Sequence, residues 1–224
     1  MSAQHNLTAG TQPVRIAIDG ITLDGDLHVP HDARGLVLFA HGSGSSRHSH
    51  RNRFVAESLN GVGLAALLFD LLTADEEMVD RRTAQLRFDI RLLADRLVGA
   101  TDWVCRQSDL SALGLGYFGA STGAAAAVFA AAERPDLVRA VVSRGGRPDL
   151  AAPVLEEIVA PTLLIVGGND VGVIEVNRLA YDRLNAEKRL AIVPGATHLF
   201  EEPGALEQVA ELAGEWFLSH LPTA

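Results

Sequence analysis

Six times between residues 36 and 193 the chain returns to a short apolar run of strand length: Leu36–Ala40, Leu64–Phe69, Leu113–Phe118, Ala140–Ser143, Thr162–Val166 and Leu190–Val193. Continuous apolar runs, rather than alternating ones, are what parallel strands covered on both faces require. Stretches of helical period separate most of them. Gln85–Gln107 carries Leu86, Ile90, Leu93, Leu97, Ala100 and Val104 in alternating steps of four and three, which makes one apolar stripe. Near the C-terminus, Leu206, Val209, Ala210, Ala213, Trp216 and Phe217 repeat the arrangement, with Glu207, Glu211 and Glu215 on another face. Ala124–Ala132 is apolar all round, as in a core helix. Ahead of the first run, Val14–Ile18 and Ile21–Val29 read as strands joined at Asp19-Gly20, a dipeptide of tight hairpins, with Pro30 closing the second. The pattern predicts an α/β fold: a mostly parallel sheet with helices on both faces and an antiparallel N-terminal strand pair.

Composition narrows this picture. A chain of 224 residues holds one α/β domain, 1–224, with 1–13 as a polar, flexible N-terminal segment. At 48% hydrophobic and 21% charged it is globular rather than disordered. No apolar run approaches the roughly 20 residues needed to cross a bilayer, and the N-terminus lacks the basic start and apolar centre of a secretory signal. A soluble, cytoplasmic protein is expected, with no membrane partner. Cys105, the single cysteine, permits no intrachain disulfide and reads as a core residue. The net charge of −9 and the scattered arginines argue against a nucleic-acid partner.

The candidate chemistry begins at Gly119-Ala120-Ser121-Thr122-Gly123, where strand residues give way to helix residues. A reversal within two or three residues forces the serine into a strained conformation and crowds its neighbours, which glycine at 119 and 123 relieves. A serine so placed is a candidate nucleophile, and it needs a base, an acid to orient that base, and donors for an oxyanion. After Thr162–Val166, Gly167-Gly168-Asn169-Asp170 leaves a carboxylate at a strand's C-terminal end. After the last strand, Pro194-Gly195-Ala196-Thr197-His198 leaves an imidazole at the same edge. Ser121, Asp170 and His198 are therefore the expected nucleophile, acid and base. His41-Gly42-Ser43-Gly44 follows the first apolar strand, so the Ser43 amide can pair with that of Thr122 as an oxyanion hole. All four pieces lie beyond carboxyl ends of strands, where ligands of open α/β sheets bind.

Together, His41-Gly42, the 119–123 pentapeptide, Asp170 and His198 resemble the α/β-hydrolase superfamily over nearly the whole chain. Small size, and no long insertion between Ser143 and Thr162 where many relatives carry a lid, make it most similar to the dienelactone-hydrolase-like branch. His41–Asn52 also resembles a bacterial subgroup sometimes fused to phosphoribosyltransferase domains. Dienelactone hydrolases carry cysteine in the elbow; Ser121 in its place implies a serine esterase acting on small esters or lactones, with no cofactor and no lid. An acyltransferase using the same triad and a non-catalytic small-ligand binding protein are the alternatives.

Several residues keep two readings. Asp149 follows the preceding strand, a position from which some relatives supply the acid. Arg47, Arg144 and Arg147 lie in loops after strands at the same edge and serve either to pair with an anionic substrate or as surface charges. His41, His48 and His50 have no Cys or acidic ligand at a recognised spacing, so no metal is expected; His41 reads as a brace of the oxyanion loop, with His48 and His50 opening a surface helix. Asp75-Glu76-Glu77 with Asp80 reads as a solvated loop, with a mobile flap as the alternative.

Overall fold

The computed structural model describes residues 10–221. Its single sheet is eight strands in the order β1-β2-β4-β3-β5-β6-β7-β8: β1 Gly10–Ile18, β2 Ile21–Val29, β3 Leu36–Ala40, β4 Ala65–Phe69, β5 Leu115–Ala120, β6 Val138–Arg144, β7 Thr162–Gly167 and β8 Lys188–Val193. β1 and β2 are antiparallel, as are β2 and β4, and every later pairing is parallel. The hairpin turns at Asp19 and Gly20 with φ of 42° and 87°, both positive as the mirror-image turns of tight hairpins demand.

Strand periodicity sorts the core into two layers. In β3, Leu36, Leu38 and Ala40 face one cluster, while Val37 and Phe39 face the other. The first layer is completed by α3 (Ile90–Cys105) and α4 (Thr122–Glu133), the second by α1 (His50–Gly61) and α6 (Ala205–His220). The remaining helices are α2 (Ala74–Thr83) and α5 (Val171–Arg183). α4 buries nine of its twelve residues, as its all-round apolar sequence predicts. The sheet order reverses between β3, which leads to β4 on one side, and β5, which leads to β6 on the other. That reversal is the crevice where such sheets bind ligands.

Some expectations move. Gly10–Pro13, expected to be flexible, pairs with Asp26–Val29 in the hairpin; residues 1–9 of that segment lie outside the described residues. The fifth strand starts at Leu115 and runs through Ala120, because Leu113 is still in a turn and Gly114 accepts from the Leu36 amide. Gln85–Gln107 is not one helix: a single 3-10 turn at Leu86–Phe88 precedes α3, and Asp89 caps α3 by accepting from the Leu92 amide at 3.0 Å. The acidic stretch is helix rather than loop. Thr73 accepts from the Glu76 amide and Glu76 from the Thr73 amide, a reciprocal cap that starts α2. The surface helix begins at His50 behind a Ser49 cap, leaving His48 outside it.

Candidate active site

Ser121 stands between β5 and α4 with φ 52° and ψ −119°, the strained elbow expected of it. The flanking glycines are sterically required. A Cβ at position 119 would lie 2.4 Å from the Ala124 Cα, and one at 123 only 2.2 Å from the Ala40 carbonyl oxygen. The elbow is fixed through its backbone: the Ser121 amide donates to the Arg144 carbonyl at 3.1 Å, and its carbonyl accepts from Arg147 at 3.2 Å. Its hydroxyl makes no capping bond to α4.

Asp170 and His198 arrive from β7 and β8 on two loops stitched together, with the Asn169 amide donating to the Ala196 carbonyl at 2.9 Å and the Asn169 side chain to that of Gly195 at 2.8 Å. His198 Nδ1 lies 2.6 Å from Asp170 Oδ2. An ionised carboxylate only accepts, so Nδ1 carries the proton and Nε2 is the free basic nitrogen. The ring is 39% exposed and the carboxylate 16%, so the pair is reachable from solvent through the histidine. A Cβ on Gly145, one residue past the carbonyl that holds Ser121, would be 3.5 Å from the His198 ring. Arg144, which ends β6, and Gly145, which follows it, thus lie against Ser121 and His198 in turn. Below the ring, hydrogen bonds from Thr197 hold the Glu202 carboxyl under its usual range and tie down the loop.

The loop after β3 passes against the elbow: a Cβ on Gly42 would be 3.2 Å from that of Ser121. Its Gly42–Ser45 turn closes through the Ser45 amide, leaving that of Ser43 out of the bond. Thr122 is the first residue of α4, so its amide has no acceptor within the helix. His41 sits beneath. Its Nδ1 donates to the Gly42 carbonyl at 3.0 Å and its Nε2 accepts from the Leu71 amide at 3.1 Å, which fixes a neutral ring. Burial holds its pKa below the ordinary histidine value.

The three arginines separate. Arg47 is paired with Asp70 and lies 3.7 Å from Asp26. Arg147 forms a two-pronged pair with Asp149 at 2.7 and 2.8 Å, which holds the Asp149 carboxyl below its usual range. Both charges, and Asp149 itself, are already engaged. Arg144 differs. It is buried at the end of β6, 3.5 Å from Asn52 Oδ1 and 5.9 Å over the Phe200 ring, with Nε and Nη1 lacking any partner. Burial, reinforced by the nearby charge of Arg51, pushes its pKa down to about 10, so it remains a cation at neutral pH.

Cys105 is half-buried against the first core layer, and burial raises its thiol pKa. No group of three or more His, Cys, Asp or Glu residues among those described is placed to hold a metal ion. No helix among them is long and apolar enough to cross a membrane. A cavity of about 740 Å³, which Ser121 does not line, lies between the 44–49 loop with Arg47, the start of α1 with Arg51, and the face of α2 carrying Glu77 and Met78. Sequence reasoning passed over one group beside the Gly42–Ser45 turn, Arg87, because neither its spacing nor its neighbours mark it.

A crystal structure of dienelactone hydrolase from Anabaena variabilis shares 60% sequence identity with this chain, covers 94% of it and 98% of its own length, and superposes with a TM-score of 0.93. This chain belongs to the dienelactone-hydrolase-like α/β hydrolases. Est1E from Butyrivibrio proteoclasticus shares the fold at a TM-score of 0.78 and 18% identity, over 92% of this chain and 98% of its own. A Mycobacterium tuberculosis protein named "Putative phosphoribosyl transferase" is 58% identical over 210 residues. The match takes in 94% of this hydrolase but only 46% of the mycobacterial protein, so the chain spans about half the length of the curated relative it matches. No family model matches the chain.

Proposed function

We propose that this hydrolase cleaves ester or lactone bonds of small substrates through an acyl-enzyme on Ser121. The observation that carries the reading is the His198–Asp170 pair at 2.6 Å, beside Gly145, the residue that follows the Arg144 carbonyl anchoring a strained serine elbow. Ser121 Oγ attacks the carbonyl carbon and gives its proton to His198 Nε2. Asp170 stabilises the imidazolium, and the amides of Ser43 and Thr122 receive the oxyanion. His198 then protonates the leaving alcohol, and a water deprotonated by the same nitrogen releases the acid. No step requires a cofactor. Of the three arginines, Arg144 alone has no carboxylate partner among the described residues, which makes it the one left to favour an anionic substrate.

A serine-directed fluorophosphonate, read by intact mass, and a panel of short-chain aryl esters with and without a free carboxylate test this. Labelling at Ser121 and turnover that falls on the order of 10⁶-fold in Ser121→Ala are expected. Labelling without hydrolysis, but with acyl transfer to an added alcohol, would mean an acyltransferase. An unlabelled serine and an inactive wild type would mean a binding protein.

A further inference from the structure

The segment between β4 and α3 carries charges that the triad does not use. In α2 the only buried side chain is that of Asp80, 1% exposed. Its carboxylate accepts from the amides of Leu86 at 2.8 Å and Arg87 at 3.0 Å and from Arg87 Nε at 2.6 Å, while Arg87 Nη2 donates to the Asp80 carbonyl at 3.0 Å. Burial opposes ionisation of Asp80, but the bonds from Arg87 and Leu86 outweigh it and hold the carboxyl below its usual range. Two of the three guanidinium nitrogens are thereby fixed. The third, Nη1, has no hydrogen-bond partner among the described residues and leans on the oxyanion turn, 3.3 Å from where a Cβ on Gly44 would sit. A void of about 10 Å³, room for about one water molecule, lies between Gly42–Ser45 and the Asp80–Arg87 pair. His41, directly after β3, ties the same turn to Leu71, just beyond β4.

We propose that Arg87, held by Asp80, is a positioning residue for the oxyanion hole. It blocks outward movement of the Gly42–Ser45 turn, and so keeps the Ser43 amide aimed at the elbow. Its orientation also brings a guanidinium nitrogen toward the turn at Gly44. Donors that are in place before charge develops stabilise a transition state without reorganising, so a support of this kind acts on kcat. Arg87 touches neither substrate nor reacting atoms in this scheme. The inference rests on the serine-hydrolase reading above.

The test uses Arg87→Ala, Arg87→Lys, Asp80→Asn and the Asp80→Asn/Arg87→Ala double variant, with a short-chain aryl ester and the fluorophosphonate. Arg87→Ala should lose roughly 10-fold to 100-fold in kcat, short of the 10²–10³ lost with an oxyanion donor itself, while KM stays within about twofold. Labelling at Ser121 should slow in parallel, since phosphonylation uses the same hole. Added guanidinium ion should restore part of the kcat of Arg87→Ala and none of that of the wild type. The double variant should be no worse than Arg87→Ala, because Asp80 acts through Arg87. Wild-type kcat in Arg87→Ala, or a loss that appears in KM instead, overturns the inference. If Arg87→Ala does not fold, Arg87→Lys decides: it keeps the charge but lacks the third nitrogen, and wild-type kcat there overturns the role. A wild type that neither labels nor turns over defeats the hydrolase reading itself, a result separable from an active wild type indifferent to Arg87.

Discussion

Asp149 and Asp170 both follow strands at the active edge, and their partners tell them apart. Asp149 is clasped by Arg147 two residues earlier, whereas Asp170 meets His198 across 28 positions of sequence. Changing the carboxylate to an amide leaves the shape but removes the charge that orients the imidazole. Asp170→Asn should therefore cost roughly 10⁴ in kcat, by analogy with serine proteases, and Asp149→Asn less than about tenfold, since only a partly exposed ion pair is lost. Equal losses in steady-state turnover would reject the assignment. The strained elbow at Ser121 was legible in the sequence, because two glycines around a serine at a strand-to-helix junction have few other uses. The sequence did not show the clasp on Asp149, which depends on how the 145–149 loop folds back. Nor did it show the burial of Arg144, a charged residue closing an otherwise apolar strand.

Among the elements, α2 is the one the hydrophobic pattern missed, for a physical reason. A helix announces itself through an apolar face, and α2 has none: it buries one aspartate and leaves Met78 59% and Val79 45% exposed. Its attachments are polar, through Glu76 to Arg96 at 2.7 Å and Asp80 to Arg87. The reciprocal cap Thr73-x-x-Glu76 has no apolar run behind it, the context that marks such a box as a helix start. Such a helix opens locally at low cost. Thr73→Ala removes the cap and should destabilise α2 by about 1 kcal/mol. Amide exchange across 76–83 should then quicken about fivefold while the global melting midpoint hardly moves. A fall in that midpoint with unchanged local exchange would show that α2 unfolds only with the whole protein. Elsewhere boundaries shifted where local bonds overrode periodicity, as at Asp89, whose cap restarts a helix that the leucine spacing runs straight through.

At the scale of the whole molecule, the parallel sheet and its two covering layers were legible because buried parallel strands leave continuous apolar runs. The sheet order and its reversal between β3 and β5 were not, since runs of that kind carry no neighbour information. The reversal brings four distant loops together and buries His41 among them, with a consequence for stability against pH. His41 is neutral in the fold, with a pKa lowered by burial from 6.5; the unfolded chain takes up its proton near 6.5. Below that pH the unfolded state binds the extra proton, so stability falls as pH drops toward the folded-state value. His28 on β2, also lowered by burial, acts in the same direction. Melting midpoints at pH 7.5 and 5.5 should show a drop that shrinks in His41→Asn; an undiminished drop would assign the acid sensitivity to other groups.

α4 leaves a different mark. Behind the elbow it places Gly123, where a Cβ would meet the Ala40 carbonyl oxygen at 2.2 Å, and four consecutive buried alanines. A side chain enlarged there has nowhere to go except into the support of the elbow. Change of ligand preference therefore has little raw material beneath Ser121. It has to draw on the rim, where the 44–49 loop, the start of α1 and α2 enclose open space, so that the fold pairs a rigid hearth with a renovable doorway.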